Sequence, residues 1–375
     1  MKNYFLSLIS LVLTLVIAEV FLQFFLKEPT QKSVSTKPYF HYHDSIGYEP
    51  LPFVKPINGE NILETLNIEG ARGKSYQINK PQNLLRIISI GNSVVEGFSV
   101  GFNHTWQQVL ERQLNQVLLQ KKSIYKKAEV INLGVGGYVS WQTLKRFKNR
   151  GLKYSPDWVI VYTDVNDMVY SALPSWKPNY NLAQIEQAYA KPSVDTTQRV
   201  TIKSILLKSK IMASINNVKN HFYNKNLVNS TIAAHQQNSN IPFNKEALRL
   251  YEEHLSQIYE LTKEKKLKMI LITWGFAISE KHQERELQLK MLNLYQNFPL
   301  SSQEFLDWYK QYNEVNRRFA EKYPDIVLID IAKELENVGL EERLKIYTDQ
   351  IHQSVYGHSF FASLIYKELV KQGLL

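Results

Sequence analysis

Cysteine is absent from the 375-residue sequence, which excludes disulfides and attachment through a lipidated N-terminal cysteine, and fits any compartment. Acidic residues are the minority, 35 against 45 lysines and arginines, leaving a formal net charge of +10. A basic surplus can mark a nucleic-acid binder. Here the lysines are dispersed among acidic residues (Lys121, Lys122, Lys126, Lys127; Lys263, Lys265, Lys266, Lys268), and no recognition motif accompanies them. A basic domain working beside an anionic membrane surface or acidic glycans accounts for the balance. No internal repeat is evident. What is present, 44% hydrophobic and 12% aromatic residues, is the composition of a folded protein.

Long apolar runs are also scarce, with one exception. Tyr4–Leu26 is apolar apart from Ser7, Ser10, Thr14, Glu19 and Gln23. A helix of roughly 20 such residues spans a bilayer core, so residues 1–27 are expected to form a single-pass signal anchor. The competing reading is a signal peptide cleaved after Ala18; the apolar run continues beyond it into "VFLQFF", which favours retention. Lys2 on one side and Lys27, Lys32 and Lys37 on the other leave orientation undecided by charge. A short tail before an early apolar segment predicts a signal anchor, with the body of the protein exported and extracytoplasmic.

Residues 28–83 read as a spacer and a small irregular lobe rich in turn signals ("HDSIGYEPLPFVKP", "NIEGARGKS"). From Leu84 a regular rhythm begins. "LLRIISI", "AEVINL", "DWVIVYT", "KMILIT" and "DIVLID" read as strands. They alternate with helical stretches such as "TWQQVLERQLNQVLL", "SWQTLKRFKNRG" and "SQEFLDWYKQYNEVNRRFAEKYP", with a last helix from about Val355. Short continuous apolar strands separated by helices predict a parallel sheet covered on both faces. Met168 to about Phe243 breaks the rhythm and is read as a cap insertion at about 168–244.

Four short stretches fall at strand ends or directly before a helix, the edge where open α/β sheets bind ligands. "GNSVVEG" places Ser93 between a strand and a helix, and "NLGVGGY" supplies three glycines whose backbone can approach closely. "YTDVNDM" carries Asn166 and Asp167, and "YTDQIHQSVYGH" sets Asp349 three residues before His352. Each alone is an ordinary cap or turn. Jointly they supply a hydroxyl, an imidazole, a carboxylate and neutral donors, the inventory of acyl transfer through a serine.

The order of these blocks is similar to that of the SGNH (GDSL-type) hydrolase superfamily, over about Leu84–Leu375. The resemblance implies a three-layer α/β/α, flavodoxin-like fold with about five parallel strands, and an esterase, lipase or acyl-transfer activity needing no metal or cofactor. It also implies roles: Ser93 as nucleophile, His352 as base and Asp349 as its orienting acid. The oxyanion donors would be the N–H groups of Ser93 and Gly137 and the side-chain amide of Asn166. Two positions depart from the pattern. Asn92 stands where the family has aspartate, and its amide can still accept a backbone hydrogen bond. Asp164 stands where the family has glycine and could set a negative charge near the oxyanion. His358 is read as structural. A metal at His41 and His43 is the minor reading of "HYH". The "HDSIGY" and "EGARG" stretches resemble a membrane-anchored bacterial subgroup.

The expected activity is a membrane-anchored, extracytoplasmic serine esterase removing an O-acyl group, acetyl in the first instance, from a cell-envelope or secreted glycan. An O-acyltransferase with the same triad, a lipid esterase, and a silent glycan-binding or assembly protein are the alternatives. Asn92 and Asp164 keep the last of these open.

Overall fold

The computed structural model describes residues 40–51, 67, 70–120, 123–174, 176–178, 233, 239–292 and 300–373. The chain divides into two units, Met1–Ser35 with Pro192–Thr231 and Thr36–Lys191 with Ile232–Leu375; every described residue belongs to the second. The expected anchor, most of the spacer and most of the cap insertion lie outside the described residues. Among the described residues no helix is long and apolar enough to cross a membrane.

Two strands precede the regular domain, β1 (Phe40–His43) and β2 (Gly47–Pro50), paired antiparallel. The sequence reading had only an irregular lobe here, because four-residue strands with mixed polarity carry no periodicity to detect. His43 Nδ1 lies 3.3 Å from the Ser45 N–H, and its Nε2 lies 3.8 Å from Glu49.

The remaining elements, in chain order, are β3 (Leu84–Gly91), α1 (Ser93–Glu96), α2 (Trp106–Leu118), β4 (Lys127–Asn132), α3 (Ser140–Asn149), β5 (Trp158–Tyr162), α4 (Val165–Ser171), α5 (Lys245–Glu264) and β6 (Lys268–Ile272). They are followed by α6 (Arg285–Lys290), α7 (Ser302–Lys322), β7 (Val327–Ile329), α8 (Ile331–Glu336), α9 (Leu340–Ile346) and α10 (Val355–Lys371). The five later strands form one parallel sheet in the order β4-β3-β5-β6-β7. All eight residues of β3 are buried, as expected of a central strand with helices on both faces.

The chain steps outward from β3 to β4, then returns past β3 to β5. Right-handed crossovers therefore put α2 on one face and α3, α5 and α7 on the other. Helix α10 packs against α2. A doubly wound sheet binds its ligand at the carboxyl ends of the strands around such a reversal, here those of β3, β4 and β5. The "GNS", "GVGGY" and "VND" blocks all emerge there.

Candidate active site

Strand β3 ends at Gly91, and Asn92 caps α1 by accepting the Val94 N–H on its Oδ1 at 3.0 Å. The amide thus does what the expected aspartate would do in this turn. Four residues cannot hold a helix by themselves, and the carbonyl end of α1 is satisfied from outside. The amides of Gln107 and Asn132 donate to the Val95 carbonyl at 2.7 and 2.9 Å. The Arg72 guanidinium donates to the carbonyls of Glu96, Gly97 and Val100. These three side chains went unnoticed in the sequence. Arg72 lies in "EGARG" and Asn132 opens "NLGVGGY", so their neighbourhood was the available signal.

The "DQIH" turn builds itself from local chemistry. Asp349 Oδ1 accepts the N–H groups of Ile351 and His352 at 3.0 and 2.8 Å, and the Thr348 N–H donates to the His352 carbonyl at 2.9 Å. The other carboxylate oxygen lies 2.7 Å from His352 Nδ1, and His352 Nε2 lies 2.8 Å from Ser93 Oγ. A carboxylate only accepts, so the imidazole proton sits on Nδ1 and Nε2 is free to accept from the serine. Burial works against the Asp349 charge, but its bonds to His352 and the loop hold it below the usual carboxylate range. Ser93, Asp349 and His352 are all partly accessible.

The glycine loop closes the other side. A Cβ on Gly134 would lie 2.3 Å from the Glu96 amide nitrogen, so only glycine lets this loop reach α1. An added Cβ on Gly136 would lie 4.0 Å from the Ser93 Cβ, which sets the loop beside the hydroxyl. Asn166 joins the group by donating Nδ2 to the Tyr138 carbonyl at 2.9 Å. Among the described residues neither the Ser93 nor the Gly137 N–H has an intramolecular partner. All five sequence-selected residues therefore meet at one edge of the sheet.

Next to Asn166, the Asp167 carboxylate accepts the Ser140 N–H at 2.9 Å, and Ser140 Oγ lies 2.8 Å from His254 Nδ1. This fastens the start of α4 to the start of α3. Burial pushes the Asp167 carboxyl up to about 7 against the opposing Ser140 bonds, and pushes His254 down to about 4.

The sequence leaves the orientation of Asp164 open. Its side chain does not stand as a negative charge at the oxyanion position: it is buried, with Oδ2 accepting from Asn316 of α7 at 3.1 Å. Burial, with the neighbouring Asp167 charge, pushes its carboxyl well above the usual 3.8. Its backbone φ of +155° lies where glycine is at home, which explains the family's choice. A raised carboxyl favours the folded state at low pH and stops doing so as pH climbs above 3.8 toward the folded value. Asp164→Asn should therefore flatten the decline in unfolding free energy as pH rises above 3.8, measured by denaturant titration, with kcat within about twofold of wild type. A large gain in kcat would mean that the carboxylate does face the reaction.

His358 is structural, as the sequence reading has it. It is fully buried, its Nδ1 accepts the first N–H of α2 from Trp106 at 3.1 Å, and burial pushes it down to about 3. His358→Ala should cost about 2–4 kcal/mol of stability through the lost cap and the cavity. Active-site titration should show unchanged turnover per folded molecule.

The sequence pattern of the GDSL-like Lipase/Acylhydrolase family matches residues 89–360. The chain belongs to this family. It is a GDSL-type acylhydrolase, and the match takes in Ser93, Gly137, Asn166, Asp349 and His352. A curated relative, the UDP-N-acetylglucosamine 2-epimerase homolog of Methanococcus maripaludis, is 24% identical over 302 residues, covering 76% of this chain and 78% of that one. Among solved structures, a lipase/acylhydrolase from Enterococcus faecalis is similar at 16% identity and a TM-score of 0.42, covering 77% of this acylhydrolase and 96% of its own chain. An acetyl xylan esterase from Geobacillus stearothermophilus is similar at 15% identity and a TM-score of 0.41, covering 76% and 94%.

Proposed function

We propose that this acylhydrolase is a serine esterase that removes a short O-acyl group, acetyl in the first instance, from a cell-envelope or secreted glycan. Ser93 attacks the ester carbonyl, and His352 takes its proton and passes it to the departing sugar oxygen. Asp349 fixes the imidazole tautomer. The N–H groups of Ser93 and Gly137 and the Asn166 amide receive the oxyanion. The acyl-enzyme is then cleaved by water through the same base. The observation that carries this reading is the unbroken path Asp349–His352–Ser93, with contacts of 2.7 and 2.8 Å, beside two unpartnered backbone donors.

Two features support a small acyl group on a sugar. The glycine loop lies close beside Ser93, with the Tyr48 and Tyr170 hydroxyls 2.7 and 3.7 Å from where a Gly137 Cβ would be, leaving a tight polar wall. On the His352 side Phe98 is 54% exposed, its ring 5.6 Å from the imidazole, a surface suited to the apolar face of a pyranose. The apolar segment Tyr4–Leu26 supports retention at the membrane with the domain outside.

The purified full-length protein should hydrolyse 4-nitrophenyl acetate and release acetate from acetylated oligosaccharides. A fluorophosphonate should label Ser93 and no other residue. An unlabelled protein whose Ser93→Ala variant behaves identically would sink the reading. Transfer of the acyl group to added oligosaccharide in preference to water would reassign it as an acyltransferase. For location, the protein should resist carbonate extraction, and a C-terminal reporter should be active outside the cytoplasm.

A further inference from the structure

We propose that Tyr48 is a positioning residue for the reaction: its hydroxyl, bonded to the Gly136 carbonyl, holds the Gly136–Gly137 peptide with its N–H turned toward the ester. This rests on Gly137 being an oxyanion donor.

The loop Val135–Tyr138 is a tight turn closed by the Tyr138 N–H on the Val135 carbonyl at 3.2 Å, and Val135 itself donates to the Gly91 carbonyl at 3.1 Å. Gly137 at φ +78° occupies the position where a type II turn needs a positive φ. Types I and II differ mainly in the orientation of the peptide joining the two central residues, which turns over by roughly 180° between them. With glycine at both central positions neither form is sterically barred. The turn's ends are therefore pinned, while the one peptide that matters is free to rotate between them.

In a trans peptide the carbonyl and the N–H point in opposite directions. The Gly136 oxygen and the Gly137 N–H belong to the same plane, so a donor fixed on the oxygen fixes the aim of the N–H. Tyr48 is that donor, with Oη 2.8 Å from the Gly136 oxygen. The same bond polarises the amide and makes the N–H a stronger donor.

Tyr48 is itself rigid. It packs edge-on against Phe40 and Tyr138, each with ring centroids 5.1 Å away, in a buried cluster with Ile46 and Val135. Its carbonyl accepts the Tyr138 hydroxyl at 2.6 Å. The next residue, Glu49, is buried between Arg146 and Arg150 at 3.1 and 2.7 Å. The β1–β2 hairpin is thus an arm reaching from the N-terminal segment to the oxyanion loop.

Full-length Tyr48→Phe keeps the ring and loses only the hydroxyl. It should lower kcat on 4-nitrophenyl acetate about tenfold with KM within twofold. Affinity for a short alkylboronic acid, which forms a tetrahedral anion on Ser93, should weaken by the same factor, with the melting temperature nearly unchanged. Arg150→Gln removes one of the two Glu49 partners but leaves Arg146 on Glu49 and Tyr48 packed against Phe40 and Tyr138, so it should lower the melting temperature while sparing kcat. An unchanged kcat in Tyr48→Phe overturns the proposal, and so does an equal loss in Arg150→Gln. Asn166→Ala separates the two levels. If it slows turnover while Tyr48→Phe does not, only the role of Tyr48 fails; if neither variant is slowed, the oxyanion reading fails with it.

Discussion

His352→Ala is expected to lower kcat by about 10⁶-fold, as much as Ser93→Ala and no less than the two combined. A serine hydroxyl is a poor nucleophile at neutral pH, and the base bonded to it is the imidazole whose Nε2 lies 2.8 Å from Ser93 Oγ. Without either partner the other contributes nothing, so the losses do not add. Asp349 calls for a subtler substitution, because its Oδ1 also holds the loop through Ile351 and His352. Asp349→Asn can still accept those two bonds, but its amide faces His352 Nδ1 with a donor and imposes the wrong tautomer. A loss of about 10⁴-fold is expected, the size known from the corresponding change in a serine protease. Steady-state kinetics per folded molecule measures all three. More than one per cent of wild-type kcat in His352→Ala would mean that another group deprotonates Ser93.

Asn166→Ala is expected to cost about 10²–10³-fold in kcat, or about 3–4 kcal/mol, with KM little changed. The donor is aimed at charge that exists only in the tetrahedral intermediate, so the ground state does not feel its loss. One amide hydrogen is already committed to the Tyr138 carbonyl at 2.9 Å; that bond orients the other. Asn166→Asp would keep the shape and present an acceptor, and should be slower than the alanine variant. A full-rate Asn166→Ala enzyme would reduce the "VND" block to a helix start and remove one donor from the mechanism.

The parts of this protein that the sequence disclosed are those governed by local pattern. "LLRIISI" and "KMILIT" are dominated by branched aliphatics, and they form the strands β3 and β6. "SQEFLDWYKQYNEVNRRFAEKYP" has helical spacing and a proline stop, and Ser302–Lys322 is that helix. The grouping of Ser93 with Asp349 and His352 at the candidate site was legible because Asp349 and His352 share a turn and Ser93 sits at a strand end. Nonlocal geometry was hidden. Nothing in "VYTDVND" says that Asp164 turns into the core toward Asn316, a residue 152 positions away. Nothing in "HDSIGYEP" says that Tyr48 reaches Gly136, 88 positions on. Both depend on which elements the sheet order brings together. "DIVLID" shows the opposite fault: six residues read as a strand yield only Val327–Ile329, because Asp330 caps the following helix by accepting the Lys333 N–H.

Ser93 and its base are separated by 259 positions along the chain. At a synthesis rate of about 5–20 residues per second, roughly 13–50 s pass between the emergence of the hydroxyl and that of the imidazole. All the intervening strands must also find parallel partners, which is slow for contacts so distant in sequence. A growing or truncated chain that stops short of residue 352 therefore carries an ordinary serine at the end of a strand. The Asp349–His352–Ser93 contacts can form only once the chain has been made past residue 352.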